Sequence, residues 1–97
     1  MKYEIAPKST EIQANWYDAK LYCFSLNIDG KTGWRLPTEE ELNEIYQSEN
    51  DFEKYWYWSS TESGGRYAWG QNLNGGIQSN YGGKNNGLYI RAIRDLS

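Results

Sequence analysis

Hydrophobic and polar positions change their rhythm about halfway along the chain. In the first half they follow a helical period. Trp16, Ala19, Cys23 and Leu26 recur at helical spacing behind Asn15, a good N-cap residue, with Asp18 in the first turn where negative charge suits the helix dipole. This predicts a first helix from Asn15, stopped by Asp29-Gly30. Thr38 and Glu41 have the spacing of a capping box, followed by Leu42, Ile45 and Tyr46 on one face, which predicts a second helix. Lys2 to Ala6 reads as a short strand that Pro7 ends, and Trp34-Arg35-Leu36 as an extended piece running into Pro37.

After Asp51 the helical stripe disappears. Tyr55-Trp56-Tyr57-Trp58 is an aromatic run of strand type, and Arg66 to Leu73, Ile77 to Tyr81 and Leu88 to Arg94 are further strand candidates. Eight of the ten glycines fall between Ser59 and Leu88, so turns must separate these strands. Alternation along the last strand puts Tyr89, Arg91 and Ile93 on one face and Leu88, Ile90 and Ala92 on the other. The expected fold class is α+β, with two N-terminal helices packed on an antiparallel, loop-rich C-terminal sheet.

Composition narrows this picture. At 97 residues the chain, 1–97, is a single domain. Five Trp, nine Tyr and two Phe mean that the core is built from rings more than from aliphatic side chains. The net charge of −3 argues against general affinity for nucleic acid or for an anionic membrane, both of which require a cationic surface. Cys23 is the only cysteine, so no disulfide can form within the chain. No signal-like or membrane-spanning apolar run is present, which leads us to expect a cytoplasmic protein, in the host cytoplasm if a phage encodes it.

Several blocks together carry a resemblance. They are Trp16, Ala19, Tyr22 and Cys23 in the first helix, GWRLPTEEEL at Gly33 to Leu42, YWSST at Tyr57 to Thr61, Ala68-Trp69, and Tyr89 to Arg94. In these the chain resembles a bacterial and phage domain of unknown function found at the C-terminus of collagen-like adhesins. The resemblance implies a compact C-type-lectin-like fold with its binding surface on the later strands and loops. It does not imply one ligand, because such folds serve many. No proline follows Pro37, whereas the sugar-binding lectins hold calcium around a proline loop, so a calcium-dependent sugar site is not expected. We assign structural roles to Trp34, Arg35, Leu36, Pro37, Thr38, Glu41, Trp58 and Ser59 within these blocks.

Catalytic chemistry finds little support in the residues. The chain has no histidine, which removes the commonest general base and imidazole ligand. Cys23 lies on an apolar helix face without a histidine partner and reads as an inert thiol. Ser59, Ser60 and Thr61 read as hydroxyls serving a strand end, and Glu39, Glu40 and Glu41 as charges favoured at a helix N-terminus. Arg91, embedded in a strand, reads as a paired structural arginine. We therefore expect no enzyme, no cofactor and no metal.

Recognition is the better reading. Arg66, Tyr67, Trp69, Gln71, Asn72, Gln78, Asn80, Tyr81, Lys84 and Tyr89 combine amides with stackable rings and two cations, while Asn74, Asn85 and Asn86 read as turn formers. The expected function is a non-enzymatic binding module for a protein, small-molecule or glycan ligand. The alternatives are a phage-encoded inhibitor or adaptor and a glycan-binding surface domain. The aromatic surface also permits homo-oligomers.

Overall fold

The computed structural model describes residues 2–48 and 51–96, and the backbone alone of Tyr81. The fold is α+β. Its elements are β1 (Tyr3–Ile5), β2 (Ile12–Ala14), α1 (Trp16–Ser25), β3 (Trp34–Arg35), α2 (Glu39–Ser48), β4 (Trp56–Glu62), β5 (Tyr67–Asn72), β6 (Gln78–Gly83), β7 (Leu88–Ile90) and β8 (Ile93–Asp95). They form two sheets, one ordered β1-β8-β3 and one ordered β2-β7-β4-β5-β6. All pairings are antiparallel except β4 with β7, where Tyr57 lies opposite Tyr89 in parallel. The larger sheet is therefore mixed.

Both helices start as their sequences predict. Asn15 accepts the Asp18 N–H at 2.9 Å. The Thr38 hydroxyl accepts the Glu41 N–H at 3.2 Å, and the Glu41 carboxylate accepts the Thr38 N–H at 2.8 Å, a reciprocal capping box. α1 ends earlier than Asp29-Gly30. Leu26 turns extended, with its N–H bonded to the Cys23 carbonyl, and Asp29-Gly30 instead forms a separate turn with both residues at positive φ.

Two features depart from the predicted strands. Ile12–Ala14 forms β2, which sequence periodicity did not predict, because three residues become a strand only by pairing with β7. The expected strand from Leu88 to Arg94 is two strands in different sheets. It breaks at Arg91-Ala92, so the two-face alternation does not hold, and Ile90, Arg91, Ala92 and Ile93 are all buried. Arg91 is the reason. Its Nε donates to Glu11 at 2.8 Å, Nη1 to the Ala6 carbonyl at 3.0 Å and Nη2 to the Asp51 carbonyl at 3.2 Å, with the guanidinium 4.2 Å from the Phe52 ring centroid. These bonds hold the chain where it passes from one sheet to the other. The Tyr57 hydroxyl also donates to Glu11, at 2.8 Å.

The core falls into two clusters. One gathers Trp16, Ala19 and Cys23 of α1 with Trp34, Leu36, Trp58, Ala68, Ile90 and Ala92. The other gathers Leu42 and Ile45 of α2 with Tyr3, Phe52, Tyr57, Leu73 and Ile93. Rings span both, as the composition predicts.

An irregularity in β4 joins the GWRLPT and YWSST blocks. Between Trp58 and Glu62 the strand carries two more residues than its partner β5. That slack frees backbone groups to face the other block. The Ser60 N–H donates to the Pro37 carbonyl at 2.8 Å, the Thr61 hydroxyl accepts the Glu39 N–H at 3.0 Å, and the Trp16 indole N–H donates to the Ser59 carbonyl at 2.9 Å. Ser59 Oγ donates to the Trp69 carbonyl at 2.7 Å and accepts the Thr61 N–H at 3.2 Å. Both blocks thus form one seam, reinforced by Arg35, which holds Glu41 through two nitrogens and Asp95 through two more contacts.

Candidate binding groove

At the end of the larger sheet away from α2, three segments surround a groove of about 340 Å³ lined by Tyr17, Arg66, Tyr67, Gly83, Lys84, Asn85 and Asn86. Backbone bonds fix its walls. The Lys84 N–H donates to the Arg66 carbonyl and the Trp16 N–H to the Lys84 carbonyl, both at 2.9 Å, tying β6 to the start of β5 and to α1. The Asn86 N–H closes a turn on the Gly83 carbonyl at 2.9 Å, which places Asn85 and Asn86 at the rim. Next to the groove β6 packs tightly on the core: a Cβ on Gly82 would lie 2.8 Å from both the Ala68 carbonyl and the Trp58 ring.

Lys84 is a strut of this groove. Its side chain is only 4% exposed, with Nζ 2.6 Å from Glu62, 3.2 Å from the Gly65 carbonyl and 4.3 Å from the Trp16 ring centroid. The sequence places its ammonium at a ligand; in the structure Glu62 and the Trp16 face hold that charge. The Lys84 hydrogen bond in turn holds the Glu62 carboxyl below the usual carboxylate value.

Arg66 is the opposite case. Arg35, Arg91 and Arg94 each hold a carboxylate, whereas the exposed Arg66 side chain forms no ion pair or hydrogen bond with a described residue. It stands at a groove whose walls expose Tyr17 and Tyr67. A free guanidinium beside two rings and two amides offers charge, stacking faces, donors and acceptors together.

The remaining predicted site residues are dispersed. Gln71, expected at a surface site, is fully buried away from the groove, its amide nitrogen donating to Asn43 Oδ1 at 2.9 Å and to the Gly76 carbonyl at 3.0 Å. It faces α2, which covers that end of β5. Asn72 accepts the Asn74 N–H in a local turn, and Gln78 donates to the Glu39 carbonyl at the start of α2, both at the hairpin end opposite the groove. Trp69 and Asn80 are half-buried between the two ends, and the Asn80 carbonyl accepts the Ser63 hydroxyl. Tyr89 stacks on Tyr55 at 5.6 Å and packs against the Tyr57 cluster, on the other side of the sheet order from β6. The Tyr81 side chain lies outside the described structure.

Sequence reasoning missed Tyr17 and gave Asn85 and Asn86 to turns alone. Asn85 and Asn86 form the turn and also line the groove. Tyr17 had one available signal, an aromatic residue off the buried stripe of α1.

A second, wider hollow of about 970 Å³ lies between α2 and β1, lined by Lys2, Tyr3, Thr38, Glu40, Glu41, Glu44, Gln47 and Ser48. We consider it the weaker candidate although it is larger. Its only ring, Tyr3, is buried and donates to Glu44 at 2.8 Å, and Glu41 is held by Arg35, which keeps that carboxyl below its usual value. Elsewhere, burial pushes the Cys23 thiol up to about 12, far from a thiolate nucleophile. Among the described residues no group of three or more His, Cys, Asp or Glu is placed to hold a metal ion. No described helix is long and apolar enough to cross a membrane.

Comparison with known sequences adds one positive finding. The family model for the Lcl C-terminal domain matches residues 3–94, so the chain belongs to that family. No curated protein matches it.

Proposed function

We propose that this member of the Lcl C-terminal domain family is a non-enzymatic binding module of C-type-lectin-like fold, and that it recognises its partner at the groove between Tyr17 and Tyr67. The observation that carries this reading is Arg66, whose guanidinium is uncommitted among the described residues, beside exposed rings and rim amides, while every other arginine is paired. An exposed arginine gains most when a ligand supplies a carboxylate, phosphate or sulfate in its plane. The ligand is therefore expected to present an anionic group to Arg66 and a flat or apolar surface to the tyrosines.

Two settings suit such a module. One is the terminal domain of a collagen-like adhesin with a glycan ligand, and the other is a phage-encoded inhibitor or adaptor acting in the host cytoplasm. The acidic net charge speaks against general nucleic-acid binding in either. A lack of catalysis fits a chain without histidine and with a buried, strongly protonated cysteine.

Amide chemical-shift mapping tests the site. Titration with a panel of organic acids, acidic oligosaccharides and acidic peptides should move the amides of Tyr17, Arg66, Tyr67 and Gly83 to Asn86. Shifts confined to the hollow between α2 and β1 would overturn the assignment.

A further inference from the structure

The outer face of α1 breaks the rule that a surface helix is polar outside. Tyr17, Leu21 and Phe24 lie within about 60° of one another around the helix, opposite the buried Trp16, Ala19 and Cys23. They are exposed, Leu21 at 67% and Phe24 at 83%. None of them is needed to close the core, because Trp16, Ala19 and Cys23 already fill that role. Single exposed apolar residues are ordinary, but an aligned run of three, two of them aromatic, marks an interaction surface.

Tyr17 belongs to both features. It ends the apolar stripe and lines the groove that holds Arg66, so stripe and groove form one continuous track. The stripe runs about 10 Å along the helix. Its charges are unbalanced. Lys20 lies over the Trp16 ring at 4.5 Å and, like Arg66, forms no salt bridge with a described residue. Of the acids nearby, Glu62 is paired by Lys84, and Asp18 accepts a bond from the neutral Asn15 amide and keeps its charge. In a protein of net charge −3, Lys20, Arg66 and Lys84 against Glu62 and Asp18 leave this face with a positive balance.

We propose that the outer face of α1 and the Arg66 groove together dock a segment of another protein, whose apolar side chains pack on Leu21 and Phe24 and whose acidic side chains meet Arg66 and Lys20. The groove half of this proposal rests on the function proposed above, and the stripe half stands on α1 alone. A glycan could stack on Phe24 but would leave the aliphatic Leu21 unused and would find no hydrogen-bonding side chain in either residue. A second copy is disfavoured, because pairing this face with itself sets like cations against each other.

A randomised peptide library selected against the immobilised protein provides the probe. Enriched peptides should combine apolar residues with Asp or Glu. Leu21→Ser with Phe24→Ser should weaken an enriched peptide by at least about tenfold, and selection against the Arg66→Glu variant should shift enrichment toward Lys and Arg. All three positions are exposed, and circular dichroism verifies that the variants fold. If peptides lose affinity on the Arg66 change but not on the Leu21 and Phe24 changes, the groove reading survives and the docking track fails. The reverse result sinks the groove and keeps the stripe. Enrichment without acidic residues, no enrichment at all, or a concentration-dependent dimer that Phe24→Ser abolishes would overturn the proposal.

Discussion

The seam between the GWRLPT and YWSST blocks and the track formed by α1 and the Arg66 groove are equally rich in aromatic and charged residues, yet they use them in opposite ways. In the seam the groups look inward. Arg35 is shared by two carboxylates, the Trp16 indole N–H and the Ser59 hydroxyl meet backbone carbonyls, and Pro37 and Thr61 accept backbone N–H groups from the facing block. Along the track, Arg66, Leu21 and Phe24 are exposed, and Arg66 has no hydrogen-bond or ion-pair partner among the described residues. The difference separates residues that specify the fold from residues left available to a ligand. Motif strength in a sequence is therefore a poor guide to function here, because the most recognisable blocks are those that the fold consumes.

The comparison can be broken first at its buried end. Arg91→Ala takes from the buried Glu11 carboxylate its closest cation, leaving it the Tyr57 hydroxyl and Lys8 at 3.7 Å, and strips the Ala6 carbonyl of its guanidinium donor, so it should cost about 3 kcal/mol in urea denaturation. A loss below about 1 kcal/mol, within the range of surface pairs, would show that the crossing between sheets does not depend on it. Gly82→Ala, which drives a methyl group against the Trp58 ring and the Ala68 carbonyl, should cost about 1–3 kcal/mol. Ser59→Ala removes a donor to the Trp69 carbonyl and an acceptor for the Thr61 N–H, and should cost about 1–2 kcal/mol.

Acid sharpens the same contrast. The Arg35 hydrogen bond holds the Glu41 carboxyl below its unfolded value, and Asp95 is lowered by the same guanidinium. A carboxyl lowered in the folded state contributes stability that is fully present above its unfolded value, about 4.3 for Glu, and that is lost as pH falls through the folded value. Glu41→Gln, which can keep the capping bond but loses the charge that Arg35 pairs, should therefore be less stable than the parent at neutral pH by up to about 1 kcal/mol, with the gap closing as pH drops below about 4. A gap that widens in acid would contradict the pairing. At the exposed end, Leu21→Ser, Phe24→Ser and Arg66→Glu should each change stability by no more than about 0.5 kcal/mol.

Much of the scaffold was legible in the sequence because it is written in local chemistry. Asn15 with Asp18 and Thr38 with Glu41 mark helix starts through bonds spanning three residues, and Gly-Asn clusters mark turns the same way. Whatever depends on distant partners was not legible. Ile12–Ala14 is a strand only because β7 lies beside it, and the last strand divides only because Glu11 and Phe52 wait for Arg91. The candidate site was half legible for the same reason. Arg66 and Tyr67 stand where a polar, aromatic surface was expected, but Gln71 is covered by α2, Lys84 is claimed by Glu62, and Tyr17 arrives from a helix far away in sequence. Residue type announces what a side chain can do, and only tertiary contacts decide whether it is free to do it.

The most direct test is the melting temperature of the parent and of the Leu21→Ser/Phe24→Ser/Arg66→Glu triple variant, each alone and with a saturating acidic peptide from the selection. The two proteins should melt close together when alone. Only the parent should gain with peptide, by about 2.7 kcal/mol at a hundredfold excess over Kd. A triple variant that melts as low as Arg91→Ala, or that gains as much from peptide as the parent does, would contradict the division between a self-satisfied seam and an available track.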